Sequence, residues 1–204
     1  MSTLKVDTIL KRTGTGTITV GQSGDTITIP SGATLNAAGS TSGIGITNAE
    51  QWVLTSDVTL SDTSEVLVTP FSRFTSNGAT SIGTDISSSA GTFSFGQTGI
   101  YNIRATCGFI RLNHLNQYVG GRLDFSTDGG SNYNTLSDVY SMLPDDANTH
   151  ASVTFETIVD VTSTSNCKLQ LRCQTSDSGG AKVATDGSGA RVYTGIVFIR
   201  LGDT

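Results

Sequence analysis

Proline, histidine, cysteine and charged residues are all scarce in this 204-residue chain, and each scarcity excludes a class of protein. With only 3 prolines, the chain is not collagen-like, proline-rich or mucin-like. The 2 histidines and 3 cysteines form no C-x-x-C or H-x-x-x-H spacing, so neither a zinc motif nor a disulfide framework is predicted. Charged residues make up 14%, and the formal net charge of −5 disfavours nucleic acid or an anionic membrane as a partner.

The sequence also lacks long apolar runs. Residues 1–10 contain no apolar stretch of the length that a signal peptide needs, so we expect none. No segment approaches the roughly 20 apolar residues of a transmembrane helix. We therefore expect that the protein has no membrane partner. We also expect it to fold in the cytoplasm of the cell that makes it.

Glycine is abundant, at 24 residues, and apolar residues occur in short runs that alternate with polar ones. Alternation with a period of two is typical of strands buried on one face, and no segment shows a helical period. The sequence therefore predicts an all-β fold, an antiparallel jelly-roll β-sandwich. An Asp128-Gly129 pair predicts a tight hairpin turn within residues 127–130. The predicted strands are 52–55, 65–70, 92–95, 101–112, 118–126, 137–142, 151–161, 167–174 and 192–201.

The first 48 residues differ in composition from residues 49–204, so we predict an N-terminal attachment or stalk arm at 1–48, followed by a jelly-roll head at 49–204. The arm is rich in Gly, Thr and Ser, and its Thr-Ile-Thr-Val at 17–20 is echoed as Thr-Ile-Thr-Ile at 26–29. Four alternating residues cannot bury a core within one chain. The arm is therefore extended on a partner or intertwined with copies of itself, the alternative being a disordered linker.

The three cysteines are predicted to be small core residues. Cys167 and Cys173 lie on the same face of one alternating run. Six residues of strand separate them by about 20 Å, too far for a disulfide. Cys107 lies on the apolar side of another run.

We expect no enzymatic activity, no cofactor and no metal. No Gly-x-Ser-x-Gly elbow accompanies the two histidines, His114 and His150. Acidic loop residues such as Asp146 and Asp177 have ligand chemistry suited to Ca²⁺, but solvated turn carboxylates are the simpler interpretation. A glycosidase with paired carboxylates stays open, although no pair stands out.

One polar segment interrupts the alternation and suggests a binding site. Amides bond sugar hydroxyls and an aromatic face stacks on a sugar ring, so the segment suits a surface glycan. An ordinary hairpin tip, or a polar network along an oligomer axis, are the alternatives. The candidate binding residues are Arg111, Asn113, His114, Asn116 and Tyr118.

Residues 91–103, Gly-Thr-Phe-Ser-Phe-Gly-Gln-Thr-Gly-Ile-Tyr-Asn-Ile, resemble the Gly-x-Phe…Gly-x-Tyr-x-Phe stretch of complement one-q and tumour-necrosis-factor jelly rolls. Residues 151–161, 167–173 and 192–198 are similar to later strands of that family in the same order. The resemblance implies a homotrimer joined through aromatic faces. Unlike complement one-q, the chain has no Gly-X-Y stem. The implied interface candidates are Tyr101, Phe109, Tyr193 and Phe198.

Residues 2–9 and 25–35 resemble the opening and the shaft repeats of fibre and appendage proteins of tailed bacteriophages of cyanobacteria and marine bacteria. This resemblance implies a virion protein assembled in the bacterial cytoplasm, whose arm attaches to capsid or tail proteins and whose head adsorbs to host-surface glycan. A capsid decoration (cement) trimer is the first alternative. A fibre-borne polysaccharide-degrading enzyme is an alternative from another class.

Overall fold

The computed structural model describes residues 18–34, 46–60, 64–112, 117–144, 146, 148–177, 180–186 and 191–204. By its internal contacts the chain divides into two compact units, Met1–Ser42 and Gly43–Thr204. Across the described ranges there is no helix of the length and apolarity that a membrane span requires.

In the first unit, residues 18–34 form turns and irregular chain without a β-strand. The backbone N–H of Asp25 donates to the carbonyl of Gln22, and that of Ala33 donates to the carbonyl of Pro30. Within the described residues, therefore, the two copies of the repeat form no strand at 18–20 or at 26–29. The physical reason is that a four-residue strand without a ladder partner is not stable by itself.

The second unit is built from strands, all of them paired antiparallel. Thirteen strands lie within its described residues: β1 (Ala49–Leu54), β2 (Val58–Leu60), β3 (Val66–Leu67), β4 (Phe71–Arg73), β5 (Ile86–Ser89), β6 (Thr92–Phe95), β7 (Gly99–Arg111), β8 (Tyr118–Ser126), β9 (Asn134–Met142), β10 (His150–Val161), β11 (Lys168–Thr175), β12 (Ala181–Val183) and β13 (Gly195–Gly202).

These strands form two sheets. In the first, sheet A, the order is β2-β12-β7-β13-β1-β4, and β10 pairs with the other side of β7. In the second, sheet B, the order is β5-β6-β11-β8-β9, and β3 also pairs with β11. The long strand β10 pairs with β7 over its whole length, from Gly99↔Val161 to Ile110↔His150. The prediction of an all-β, two-sheet antiparallel fold is confirmed.

The chain turns between β8 and β9 at the predicted place, but through the seven residues 127–133 rather than through a tight hairpin turn. Gly129 and Gly130 adopt positive φ angles of 79° and 94°, which favour glycine. The Asp128 carboxylate accepts a hydrogen bond of 2.9 Å from the backbone N–H of Asn132. Hydrogen bonds from Asn132 and Ser126 lower the pKa of Asp128 to about 2.

The core lies between the two sheets and is rich in aromatic rings. Phe198 of sheet A packs on Phe93 of sheet B at a centroid distance of 5.3 Å. Tyr101 packs edge-to-face on Phe95 at 5.0 Å. Phe109, like these rings, is buried.

This burial corrects the interface candidates taken from the family resemblance. Tyr101 and Phe198 are 0% exposed and Phe109 is 1% exposed within their own subunit. Because they occupy inward positions of alternating strands, they have no surface to offer another subunit. Burial also raises the pKa of Tyr101 to about 12, and its hydroxyl donates to the carbonyl of Gln97. Tyr193 is the exposed member of the set, at 45%.

The folded head includes residues before the predicted start at 49. Asn48 is fully buried, and its carbonyl accepts a hydrogen bond of 2.9 Å from the backbone N–H of Arg200. The Arg200 guanidinium also donates to the hydroxyl of Thr47. Both residues are therefore held by the closing strand β13.

Candidate functional site

Arg111, the first residue of the predicted binding segment, is a structural residue. Its side chain points inward from the end of β7 and is 2% exposed. Its guanidinium donates to the carbonyl oxygens of Leu143 and Pro144. Arg111 therefore holds the chain that leaves β9 and cannot contact a surface sugar.

Of the other four candidate residues of that segment, only Tyr118 lies within the described residues. Asn113, His114 and Asn116 lie outside the described residues. Tyr118 opens β8 and is 37% exposed. The Ser176 hydroxyl accepts a hydrogen bond of 2.6 Å from the backbone N–H of Gln117 and a longer one from Tyr118, which fixes the start of β8.

Tyr118 pairs with a second exposed aromatic residue, Tyr140 of β9. The two rings meet edge-to-face with centroids 5.6 Å apart, and Tyr140 is 48% exposed. Together they line an open groove of about 410 Å³. Gly120 makes this arrangement possible, because a Cβ there would lie 2.5 Å from Cδ1 of Tyr140. The absence of a side chain lets the Tyr140 ring lie against β8.

Polar partners fix the orientation of the Tyr140 ring. Its hydroxyl donates to the Asp138 carboxylate at 2.9 Å and accepts from the Gln174 amide. Partial burial, and then the hydrogen bond to Asp138, raise the pKa of Tyr140 above its usual value. The phenol therefore stays neutral at physiological pH. The result is an aromatic platform, Tyr118 and Tyr140, with a carboxylate and an amide at its edge.

A network of paired charges adjoins the aromatic platform on the outer face of sheet B. The Arg122 guanidinium contacts Glu65 and lies 2.9 Å from the buried Asp124 carboxylate. Arg172 approaches the same Asp124 oxygen at 3.2 Å. Because these charges largely satisfy one another, this face offers hydroxyl, amide and aromatic groups rather than a strong electrostatic field. Such a surface suits a neutral polyhydroxyl ligand.

The outer face of sheet A is different in character. Ile158 of β10 is 63% exposed. It pairs in register with Asn102 of β7, and Asn102 pairs on its other side with Ile199 of β13, which is half-buried. Leu201 follows on β13 and is 52% exposed. Polar groups on this face pair with one another, as the hydroxyls of Thr106 and Thr154 do at 3.0 Å. We call Ile158, Ile199 and Leu201 the aliphatic patch.

A groove of about 310 Å³ lies at one end of sheet A. It is lined by Gly108, His150, Ser152 and Tyr193, among others. Among the residues that the structure describes, no group of three or more His, Cys, Asp or Glu side chains comes together as a metal site would require. The groove therefore brings one histidine together with a tyrosine and a serine, without a carboxylate among its lining residues.

Sequence reasoning missed Tyr140, Asp138 and Gln174. They lie on predicted strands, but their convergence depends on the pairing of β9 with β8 and of β8 with β11. The available signal was the Gly120-Gly121 pair inside a predicted strand, since glycine in a strand interior often marks a close approach of another group.

Comparisons with known proteins find likeness in structure alone. No family model matches the chain, and no curated protein sequence matches it. The solved structure of murine APRIL at pH 5.0 superposes with a TM-score of 0.52 at 14% identity, over 76% of this chain and 98% of that one. Eiger TNF from S. frugiperda superposes with a TM-score of 0.52 at 10% identity, over 76% of this chain and 93% of that one. At such low identity the likeness establishes the fold, and the folded head of this chain is a jelly roll of the tumour-necrosis-factor type.

Proposed function

We propose that this chain is a non-enzymatic structural protein of a tailed-bacteriophage virion, a homotrimeric fibre or appendage protein. Its N-terminal arm attaches to capsid or tail proteins, and its jelly-roll head projects outward and adsorbs to host-surface glycan. The observation that carries the proposal is the regular exposure of apolar side chains along the arm, together with the arm's resemblance to phage fibre sequences.

The arm carries its apolar residues where its own chain does not cover them. Ile18, Val20, Ile27 and Ile29 are 44%, 60%, 61% and 46% exposed. Full burial of an Ile or Val side chain contributes about 1.5–3 kcal/mol, so covering the exposed half of four of them contributes roughly 3–6 kcal/mol per chain. Attachment to another virion protein, or to two copies of the arm, supplies that cover.

The aliphatic patch supports association of the heads. Large exposed aliphatic residues that lie together on one sheet face are typical of protein contact surfaces. Ile158 and Leu201 are both more than half exposed. In the proposed trimer, three copies of the outer face of sheet A pack about one axis. The aliphatic patch thus takes the role that the resemblance had given to Tyr101, Phe109 and Phe198, which are buried.

The aromatic platform supports glycan adsorption. A sugar ring stacks its apolar face on an aromatic ring, while hydroxyl groups bond to nearby carboxylates and amides. Tyr118 and Tyr140 supply the rings, and Asp138 and Gln174 supply the polar groups. The platform is on sheet B, so it stays open when sheet A is covered.

The experiment that tests adsorption measures binding of the labelled full chain to host cells and to a panel of bacterial surface polysaccharides. Replacement of Tyr140 by Ala is expected to weaken binding about tenfold, because one stacked ring contributes up to about 1.5 kcal/mol. Leu136→Ala, an exposed residue of the same strand, is the matched control and is expected to bind normally. Equal binding by both variants would contradict the glycan assignment.

Capsid decoration is the second candidate, because an arm with exposed apolar side chains also suits a clamp over coat subunits. The full chain is added to capsids that lack it, and capsid stability to heating is measured. Stabilisation of the capsids without binding to cells would favour decoration, since a bound protein stabilises the state it binds. Release of reducing sugar from the polysaccharide panel would instead identify an enzyme and overturn the proposal.

A further inference from the structure

Two of the three cysteines face each other across the core. Cys107 is on β7 of sheet A and Cys173 is on β11 of sheet B. Their sulfur atoms are 3.7 Å apart, in direct contact, although the residues are 66 positions apart in the chain. The third cysteine, Cys167, lies on the same strand run as Cys173, six residues before it, and all three thiols are free.

A glycine of β8 leaves the space that one of the two thiols occupies. Cys173 is paired in register with Gly121 of β8. A Cβ at position 121 would lie 3.2 Å from the Cys107 sulfur and 3.0 Å from the Phe155 ring. The missing side chain therefore opens the space that the Cys107 thiol occupies. A covalent S–S bond requires about 2.05 Å, so the sulfurs need to close by a little more than 1.5 Å.

A cross-link between facing sheets is compatible with a β-sandwich. Antibody domains carry a disulfide that joins their two sheets across the core in the same manner. In this chain the corresponding link would join β7 to β11, which are both central strands of their sheets. No other part of the chain has to move aside for the bond to form, because the two sulfurs are already in contact.

We propose that Cys107 and Cys173 form an oxidative cross-linking site, which a low-molecular-weight disulfide converts into one intramolecular disulfide between the two sheets. The proposal concerns the core of the head and does not depend on the proposed function. In the reduced protein the two residues serve as small core side chains.

The reaction is thiol–disulfide exchange with oxidised glutathione. The thiolate of one cysteine attacks glutathione disulfide, forms a mixed disulfide and releases one glutathione thiolate. The thiolate of the second cysteine attacks the protein sulfur of the mixed disulfide, forms the Cys107–Cys173 bond and releases the second glutathione. The two thiol protons pass to the two released glutathione thiolates, so two protein thiols are oxidised and one glutathione disulfide is reduced.

Burial determines when this reaction takes place. Cys107 and Cys173 are 0% and 1% exposed. Burial, and then the hydrogen bond between the two thiols, raise the pKa of Cys173 well above its ordinary value. Because the thiolate is the attacking species, the folded protein reacts slowly, and the cross-link forms while the chain folds or during transient opening of the core.

The test follows each cysteine separately. The full chain is unfolded and reduced, then refolded in a mixture of oxidised and reduced glutathione, while a second sample is incubated in the same buffer without unfolding. We expect two of the three thiols to be lost, and trypsin to release one disulfide-linked pair, residues 105–111 joined to residues 173–182. Trypsin separates the cysteines because residues 105–111, 123–168 and 173–182 each hold one of them.

Two variants serve as controls. Cys167→Ala is expected to form the same linked peptide pair, whereas Cys173→Ala is expected to form none. A link involving Cys167, a link between two chains, or three intact thiols in both wild-type samples would overturn the proposal, given that the same buffer oxidises a reference dithiol peptide. If Cys173→Ala does not fold, the identity of the wild-type peptides decides the question.

Discussion

Replacing Glu50 with Ala is expected to lower the free energy of unfolding by about 3 kcal/mol. The Glu50 side chain is fully buried near the start of β1. Its carboxylate accepts hydrogen bonds of 2.7 Å from Arg73, 2.8 Å from the Asn48 amide and 2.8 Å from the backbone N–H of Ile86. One carboxylate thus joins the start of the head to β4 and β5.

The magnitude follows from what the substitution leaves behind. Removing one partner of a buried ion pair costs about 3–5 kcal/mol, because the remaining charge is left buried without an opposite charge beside it. The Arg73 side chain is 29% exposed and also donates to the carbonyl of Ile86, so water and that carbonyl relieve part of the loss. The expected value is therefore at the lower end of the range.

Urea unfolding of wild type and variant, at the same protein concentration, measures the effect. Asp57→Asn is the matched control, because Asp57 pairs with Lys182 at 2.6 Å where both side chains reach solvent. An exposed ion pair contributes less than about 1 kcal/mol. If Glu50→Ala lowers the free energy of unfolding no more than Asp57→Asn does, the inference that the buried Glu50 carboxylate stabilises the fold is refuted.

Three further predictions concern the turn, a tight contact and the core. The pKa of Asp128 is lowered to about 2, so its stabilising contribution is present above its unfolded pKa near 3.8 and is lost as the pH falls through the folded pKa. The stability difference between wild type and Asp128→Asn, followed by urea unfolding, should therefore decrease steadily as the pH is lowered from 5 to 2. Gly99→Ala should lower the free energy of unfolding by more than about 1 kcal/mol in the same assay, because Gly99 has a φ of 141° and a Cβ there would lie 2.4 Å from the carbonyl oxygen of Gly202. Phe198→Ala should lower it by about 3–5 kcal/mol, as expected for a buried ring.

The long strands were predictable from the sequence because each has enough residues to display alternation. β6 and β8 begin and end at the predicted residues. β2, β4 and β12 have three residues each and escaped prediction, since three residues show no period. Their positions depend on the sheets that they join.

The misplaced interface candidates show how two kinds of inference can disagree. Tyr101 and Phe109 are an even number of residues from Cys107, so alternation places them on the same apolar side of the strand, and the structure buries both. The family resemblance assigned the same side chains to a contact between subunits. Alternation predicts the burial of these side chains correctly, because it depends on the pleat of this chain's own strands.

Contacts between strands distant in sequence could not be predicted in the same way. Tyr140 meets Gly120 because β9 pairs with β8 in a particular register. Cys107 meets Cys173 because the two sheets stack in one alignment. Local sequence gives the face of each residue, but the register and the stacking result from the packing of the whole sandwich.

The mass of the full-length chain in solution, measured by light scattering, tests the proposed association most directly. The account predicts three times the chain mass of 21.2 kDa, or about 64 kDa. Ile158→Asp, which places a charge in the aliphatic patch, should shift the mass toward the monomer value, whereas Leu136→Asp on β9 should leave it unchanged. A monomeric wild type, or a trimer indifferent to Ile158→Asp, would contradict the account.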